Sequence, residues 1–289
     1  FQSEIDYIKG KFKPGDIVDV FNARRQYLGR GYINPRSQIT VRLLSRDEET
    51  VDRDFFVRRI SRAWAYRQRF LAEPEYCRLI FSEADFLPGL IVDKFGACLV
   101  IQTLALGMDV YKDIIVSVLD ELLQPEMIYE RNDASVRTLE GLPLQKGFLK
   151  GQGETMLQVR ENGLLFYADI ENGQKTGFFY DQRDNRRLLS KFVADAEVLD
   201  CFCFTGSFSI HAAAYGARHV TGIDISAAAV EMAKKNAVLN QVQNSCDFQE
   251  ANAFDLLREY SDSGRSYDTV ILDPPAFTKS KSSVESAAR

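Results

Sequence analysis

Cys201 and Cys203 stand one residue apart in the stretch VLDCFCFTG at 198–206, and a Thr-Gly turn follows two residues later. On a strand, alternation puts both thiols on one face, a spacing that admits a metal or redox pair. A metal needs more ligands. The chain holds only two histidines, His211 and His219, neither at ligand spacing, so no metal is expected. Buried cysteine more often behaves as a small apolar side chain. The other chemistry open to this stretch is a strand and turn that cradle a nucleoside. A strand over 197–203 would run into Phe204-Thr205-Gly206, with a helix from Ser207 and Gly216 at its C′ position. The next strand would end at Asp224, near the spacing at which nucleotide-binding folds place an acid on the ribose. A carboxylate there accepts two hydrogen bonds from a diol.

The glycine content argues against a dinucleotide. G-x-G-x-x-G lets backbone approach a pyrophosphate, whereas only Gly206 occupies this turn. A nucleoside without phosphates needs less room, and S-adenosylmethionine, with adenine, ribose and an amino-acid tail, is such a ligand. Asn252 and Ala253 would close a third strand, where a polar side chain can pair with the adenine edge. The apolar run YDTVILDPPAF ends in Asp273-Pro274-Pro275, followed by Phe277. Proline removes N–H donors, so the carbonyls around Asp273 are left to face a substrate. Ligands favour this edge of a parallel sheet; a plain structural turn is the alternative. His211 reads as a helix residue beneath the turn, not a base.

These residues need a scaffold. Strands expected at 197–203, 219–224, 246–250 and 268–273 alternate with helices at 207–215 and 227–239, which argues for an α/β doubly wound parallel sheet, Rossmann-like and incomplete. A helix over DQRDNRRLLSKFV precedes it, with Asp181 as N-cap and Leu188, Leu189, Phe192 and Val193 as its apolar side. Upstream, residues 76–165 read as an α+β block. Its helix DVYKDIIVSVLDELL has Asp109 as N-cap and Val110, Ile114, Val118 and Leu122 on one stripe, and Asn162-Gly163 marks a hairpin turn. Residues 14–45 read as short strands of a small barrel or sheet, followed by a helix ending near 70. The expected domains are 1–68, 69–165 and 166–289.

Charge is uneven along the chain. Residues 1–70 carry 15 Lys+Arg against 9 Asp+Glu on a chain of net charge −5. A basic segment on an acidic chain suggests a polyanion-binding module, with Arg42, Arg58, Arg59 and Arg62 as candidate contacts. Trp64 in that arginine-rich helix reads as an anchor for the fold.

The runs VLDCFCFTGSFSIHAAAYGA, VTGIDIS, DPPAF and IENGQKTGFFYDQRDNRR resemble the class I S-adenosylmethionine-dependent ribosomal RNA methyltransferases that carry an N-terminal PUA domain, a group that includes large-subunit cytosine-C5 methyltransferases. The resemblance covers the whole chain, with QKTGFFYDQR its most family-specific run. It implies a β-barrel PUA-like domain, a central α+β domain and a methyltransferase domain. It implies cofactor contacts from Lys175, Thr176, Gln182, Arg183, Phe204, Thr205, Gly206, Asp224, Ile225, Asn252 and Ala253. Asp273, Pro274, Pro275 and Phe277 would face the target base. Phe178, Phe179 and Tyr180 could stack on a flipped base or pack in the core. Cytosine C5 becomes nucleophilic only after a thiolate adds at C6. Where one related group has that cysteine this chain has Ala276, and the resemblance puts the nucleophile on a later motif, beyond Arg289.

A chain of 289 residues, 45% hydrophobic and 27% charged, has room for two or three domains. Its runs are too short for a membrane span, and its five irregularly spaced cysteines fit a reducing, cytoplasmic setting. The start lacks Met, and a capping box at Ser282 and Glu285 opens a helix that barely begins, so truncation at both ends is expected. The expected partner is large-subunit rRNA, with a homodimer possible. Methylation of a base nitrogen, RNA binding without catalysis, and a dinucleotide enzyme are the competing readings.

Overall fold

The computed structural model describes residues 1–275. Phe277 and the Ser282 and Glu285 capping box lie outside the described residues. The chain forms two compact units: Phe1–Val159 with Ala168–Tyr180, and Arg160–Tyr167 with the chain from Asp181 onward.

The first unit opens with three antiparallel strands, β1 (Ile17–Phe21), β2 (Tyr27–Ile33) and β3 (Val41–Ser45), in that order. This three-stranded sheet stands where the small barrel was expected. Helix α1 (Arg53–Phe70) follows, with Asp52 accepting from the Phe55 N–H at 3.0 Å as its N-cap. It buries Phe55, Phe56, Ile60 and Ala63, each large side chain contributing about 1.5–3 kcal/mol.

A five-stranded sheet comes next, built from β4 (Tyr76–Phe81), β5 (Leu90–Phe95), β6 (Cys98–Thr103), β7 (Met127–Asn132) and β8 (Gln145–Lys150) in spatial order. One apolar core runs from Tyr32 and Phe55 through Leu79 and Leu90 to Ile128. Strand β8 was not anticipated. Its half-exposed edge position leaves QKGFLK without a clear alternation.

The helix expected to start at Asp109 is in fact two, α2 (Leu106–Val110) and α3 (Lys112–Leu123). Asp109 caps neither. Its carboxylate accepts from Thr103 Oγ1 at 2.7 Å and from Arg137 at 2.9 Å. Arg137, in the short helix α4 (Val136–Leu139), is fully buried and needs a counter-charge. Val110, separated from α3 by the break at Tyr111, is exposed.

Strands β9 (Met156–Glu161) and β10 (Leu164–Asp169) form the expected hairpin, with Asn162 at φ 52° and Gly163 at φ 83° in its turn. Its tip belongs to the second unit, where Glu161 takes a bidentate bond from Arg186 at 2.5 and 2.9 Å, both side chains buried. That pair corrects the expected 181–193 helix. The segment is a 3-10 turn, then α5 (Arg183–Leu188), then another 3-10 turn, and Gln182, not Asp181, occupies the N-cap position. Arg186 shares the inward face with Leu189 and Val193, so Leu188 and Phe192 are exposed.

The second unit's sheet is wholly parallel, with β11 (Glu197–Cys201), β12 (His219–Asp224), β13 (Cys246–Glu250) and β14 (Thr269–Leu272) in the order β13-β12-β11-β14. Helices α6 (Ser207–Ala214), α7 (Ala227–Leu239) and the unanticipated α8 (Ala253–Asp262) connect them. The order reverses between β11 and β14, and ligands of open α/β sheets bind outside the carboxyl ends at such a switch point. Helix α6 ends as expected: Gly216 N–H donates to Ala213 O and Ala217 N–H to Ala212 O, with Gly216 at φ 96°.

Candidate cofactor and active site

Three features meet at the carboxyl edge of the parallel sheet. The first is the turn after β11. The strand stops two residues earlier than expected because Phe202 leaves the extended region, at φ 63°. Phe204 at φ 49° and Gly206 at φ 79° are also left-handed. For a bulky residue this conformation costs of order 1–3 kcal/mol and clusters at functional sites. The strained turn is tied to the end of β12 by two bonds. Cys203 N–H donates to Ile223 O at 2.9 Å, and Phe204 N–H donates to Asp224 Oδ2 at 2.8 Å. A Cβ on Gly206 would stand 2.9 Å from the Ala233 Cβ and 3.1 Å from the Phe248 ring, so the turn lies flat on α7 and β13.

The second feature is a set of carboxylates. Asp224 ends β12, with its Oδ1 accepting from Ser226 N–H at 2.9 Å. Asp273 follows β14 and is exposed, with Gln182 Nε2 3.5 Å away. Asp200, which the sequence reading missed, lies fully buried in β11, its Oδ2 accepting from Ser209 Oγ at 2.6 Å. Burial pushes the Asp200 pKa up to about 7, the Ser209 hydrogen bonds oppose that, and the charges of Asp273 and Asp224 add to it. A carboxyl in the middle of an apolar strand was the signal in the sequence.

The third feature is the exposed apolar rim. Ile225 is 73% exposed immediately after Asp224, and Phe254 is half exposed with its ring edge-to-face against Phe202 at 5.9 Å. Asn252 is the N-cap of α8, its Oδ1 accepting from Phe254 N–H at 2.9 Å. That bond leaves the Nδ2 donor as the outward group. Ala253 is buried beneath it.

The remaining expected residues fall in different settings. Arg183 is mostly buried, 3.6 Å from Glu161. Pro274 and Pro275 are exposed beyond β14. In the first unit, Thr176 is fully buried with its hydroxyl donating to Asp93, and Lys175, at φ 52°, holds its ammonium 4.4 Å from the Phe179 ring centre. Phe178 and Tyr180 are core residues.

The cysteines are not positioned for chemistry. All five are free and buried. Burial pushes the Cys201 thiol up to about 11 and the Cys203 thiol further still. His211 is buried against Phe166, and burial lowers its pKa to about 4, so it is a neutral packing residue. Among the described residues, no cluster of three His, Cys, Asp or Glu could hold a metal ion.

Residues 133–288 match the family model of the S-adenosylmethionine-dependent methyltransferases, and residues 1–46 match that of PUA-like domains. The chain is 42% identical over 294 residues to the ribosomal RNA large subunit methyltransferase I of Shewanella amazonensis, covering all of this chain and 74% of that protein. It is 42% identical over 295 residues to the protein of the same name from Aliivibrio fischeri, again covering 74% of it. The chain belongs to the S-adenosylmethionine-dependent ribosomal RNA large subunit methyltransferase I family. The fold agrees: a methyltransferase solved in complex with SAH superposes with a TM-score of 0.80 at 22% identity, over 93% of this chain and 70% of that one.

For this methyltransferase the methyl donor is S-adenosylmethionine, and the residues present suit it. The donor is cationic at its sulfonium and ammonium groups, and the site edge carries the carboxylates of Asp224 and Asp273, with Asp200 buried in β11. Phosphates would be repelled there. Among the described residues, no helix of the methyltransferase is long and apolar enough to cross a membrane.

Proposed function

We propose that this chain transfers the methyl group of S-adenosylmethionine to a base of large-subunit ribosomal RNA, with cytosine C5 as the acceptor atom. The placement of Asp200, Asp224 and Asp273 along adjacent strands at the sheet's switch point supports the donor site, and the cytosine C5 acceptor rests on the resemblance to the large-subunit cytosine-C5 methyltransferases. The relatives named for the large ribosomal subunit support the substrate.

When bound, the donor supplies an electrophilic methyl on a sulfonium. The protein's part is to bind and orient. Asp224 has one lone-pair direction on each oxygen already used by Phe204 and Ser226, which fixes the carboxylate so that the remaining ones can take a ribose diol. Ile225 offers an apolar cover for the adenine face. Asn252, with its carbonyl spent on the helix cap, offers its amide donor to an acceptor nitrogen on the adenine edge. Gln182, bonded to Asn185 at 2.7 Å and reaching Asp273, holds the Asp-Pro-Pro segment near the acceptor base. Arg183 then acts by shaping the approach to the donor, and Phe277 belongs to the acceptor side. The setting is the cytoplasm, where ribosomal RNA is made and thiols stay reduced; a homodimer would show as a doubled mass in light scattering.

The acceptor atom can be decided with RNA carrying tritium at cytosine C5 and unlabelled donor. Tritium release accompanied by methyl incorporation marks C5. Incorporation without release assigns a base nitrogen, whose methylation needs no thiolate. Donor binding without incorporation would leave an RNA-binding protein.

A further inference from the structure

A second aromatic and basic surface lies in the first unit, outside the residues that match the PUA-like model. Phe81 and Phe86 flank the 3-10 turn Ser82–Asp85, and their exposures are 47% and 53%. Phe86 sits at φ 59°, a conformation that a bulky residue keeps only when its surroundings enforce it. The enforcement is visible. Arg67 of α1 forks onto Asp85 at 2.5 and 2.6 Å, Asp85 accepts from Phe81 N–H at 2.7 Å, and Gly89 N–H donates to Ser82 Oγ at 2.7 Å. The turn is rigid, yet what it presents to water is two large apolar rings.

Guanidinium groups lie over both rings. Arg59 and Arg62 lie over Phe86, 5.3 and 5.8 Å from its centroid, and Arg78 lies over Phe81 at 5.2 Å. Arg78 forks onto the buried Asp93 and Arg59 bonds Glu49, so Arg62 is the exposed cation of the three. The nearby acid Glu83 is drawn to Arg42 at 3.5 Å. A ring fixed in place beside arginines matches a nucleobase with its phosphate: the base has a π-face to stack and the phosphate a charge to meet. Bases inside an A-form duplex are stacked on one another and cannot be reached this way.

We infer that Phe86, with the exposed Arg62, forms a stacking platform for an unpaired nucleotide of the RNA substrate, and that Phe81 takes a neighbouring base. The inference rests on RNA being the substrate. It assigns single-stranded RNA to this surface rather than a second copy of the chain, because the exposed guanidinium of Arg62 at the Phe86 ring suits phosphate.

Phe86→Gly tests it, since glycine suits the left-handed backbone and the variant should melt no lower than the parent. Binding is measured by anisotropy on a fluorescent single-stranded oligonucleotide and on a duplex of the same length. Phe86→Gly should weaken single-strand binding about tenfold, leave duplex binding unchanged and leave the salt slope unchanged. Phe86→Tyr should restore the affinity. Arg62→Ala should lower the salt slope by about one. Unaltered single-strand affinity in Phe86→Gly overturns the platform, as does a change of sedimenting mass in place of RNA affinity. Methyl transfer is scored separately, so failure of that reaction with the RNA result intact would reject the catalytic reading and keep the platform.

Discussion

The backbone N–H of Phe204 donates to the carboxylate of Asp224 across 20 residues of chain, at 2.8 Å. One bond thus holds the strained turn after β11 and orients the acid at the end of β12. Replacing Asp224 by alanine should weaken S-adenosylmethionine binding by roughly 1–3 kcal/mol, the range for hydrogen bonds to charged groups. Asp224→Asn, which keeps acceptor capacity, should lose less. Calorimetry showing equal affinity in parent and alanine variant would remove Asp224 from the ribose role.

Gly206 has both a positive φ and no space for a side chain. Gly206→Ala should therefore destabilise the protein by about 1–3 kcal/mol, combining left-handed strain with a close contact to Ala233. A denaturant melt of the two proteins checks this, and equal midpoints would contradict the packing described for the turn.

Asp200 sets a pH dependence. Its folded pKa of about 7 lies above the ordinary value of 3.8. Between these values the folded state binds more protons than the unfolded state, so stability falls as pH rises through that window and levels off above it. The span corresponds to at most about 4 kcal/mol. Asp200→Asn keeps an acceptor for Ser209 and removes the charge, so its melting temperature should be flatter from about pH 4 to 8. A parent profile as flat as the variant's would mean that Asp200 is ionised throughout.

The candidate RNA arginines should separate by environment. Arg58 and Arg62 are exposed, whereas Arg42 is 17% exposed and lies 3.3 Å from the buried Glu140, and Arg59 bonds Leu44 O and Glu49. Substituting Arg58 and Arg62 should flatten the salt dependence of RNA binding with little change in stability. Arg42→Ala should instead lower the melting temperature, because Glu140 would be left buried with only Ser37, Asn34 and the Leu106 N–H. A large change in salt slope from Arg42→Ala alone, with stability intact, would contradict this division.

The Glu161 and Arg186 pair makes a related test. Arg186→Leu should cost about 3–5 kcal/mol, since it strands a buried carboxylate, whereas replacing both partners with apolar residues should cost much less. Equal losses from the single and double variants in denaturant melts would refute that coupling.

Much of the parallel sheet was legible because its strands are short apolar runs followed by special residues: Gly206 marks the turn into α6, Asp224 the end of β12, and the Asp-Pro-Pro segment the end of β14. Elements without such a signature were misread. The 181–193 segment showed four apolar residues at helical spacing, but the inward face went to Arg186, whose partner Glu161 lies 25 residues away. Asp109 looked like a cap because it precedes an amphipathic run, yet Arg137 claims it from 28 residues further on.

Local sequence therefore determined that strands and helices alternate here, which turn lacks the glycines for a pyrophosphate, and which acid stands at ribose spacing, since each depends on neighbours in the chain. Tertiary structure alone decided that Cys201 and Cys203 are buried and inert, that Asp200 is buried against Ser209, that Arg42 belongs to Glu140, and that Phe86 is held outward on a rigid turn. Burial and charge pairing join residues distant in sequence, and a side chain's protonation, exposure and partner are set by that encounter rather than by its position in the chain.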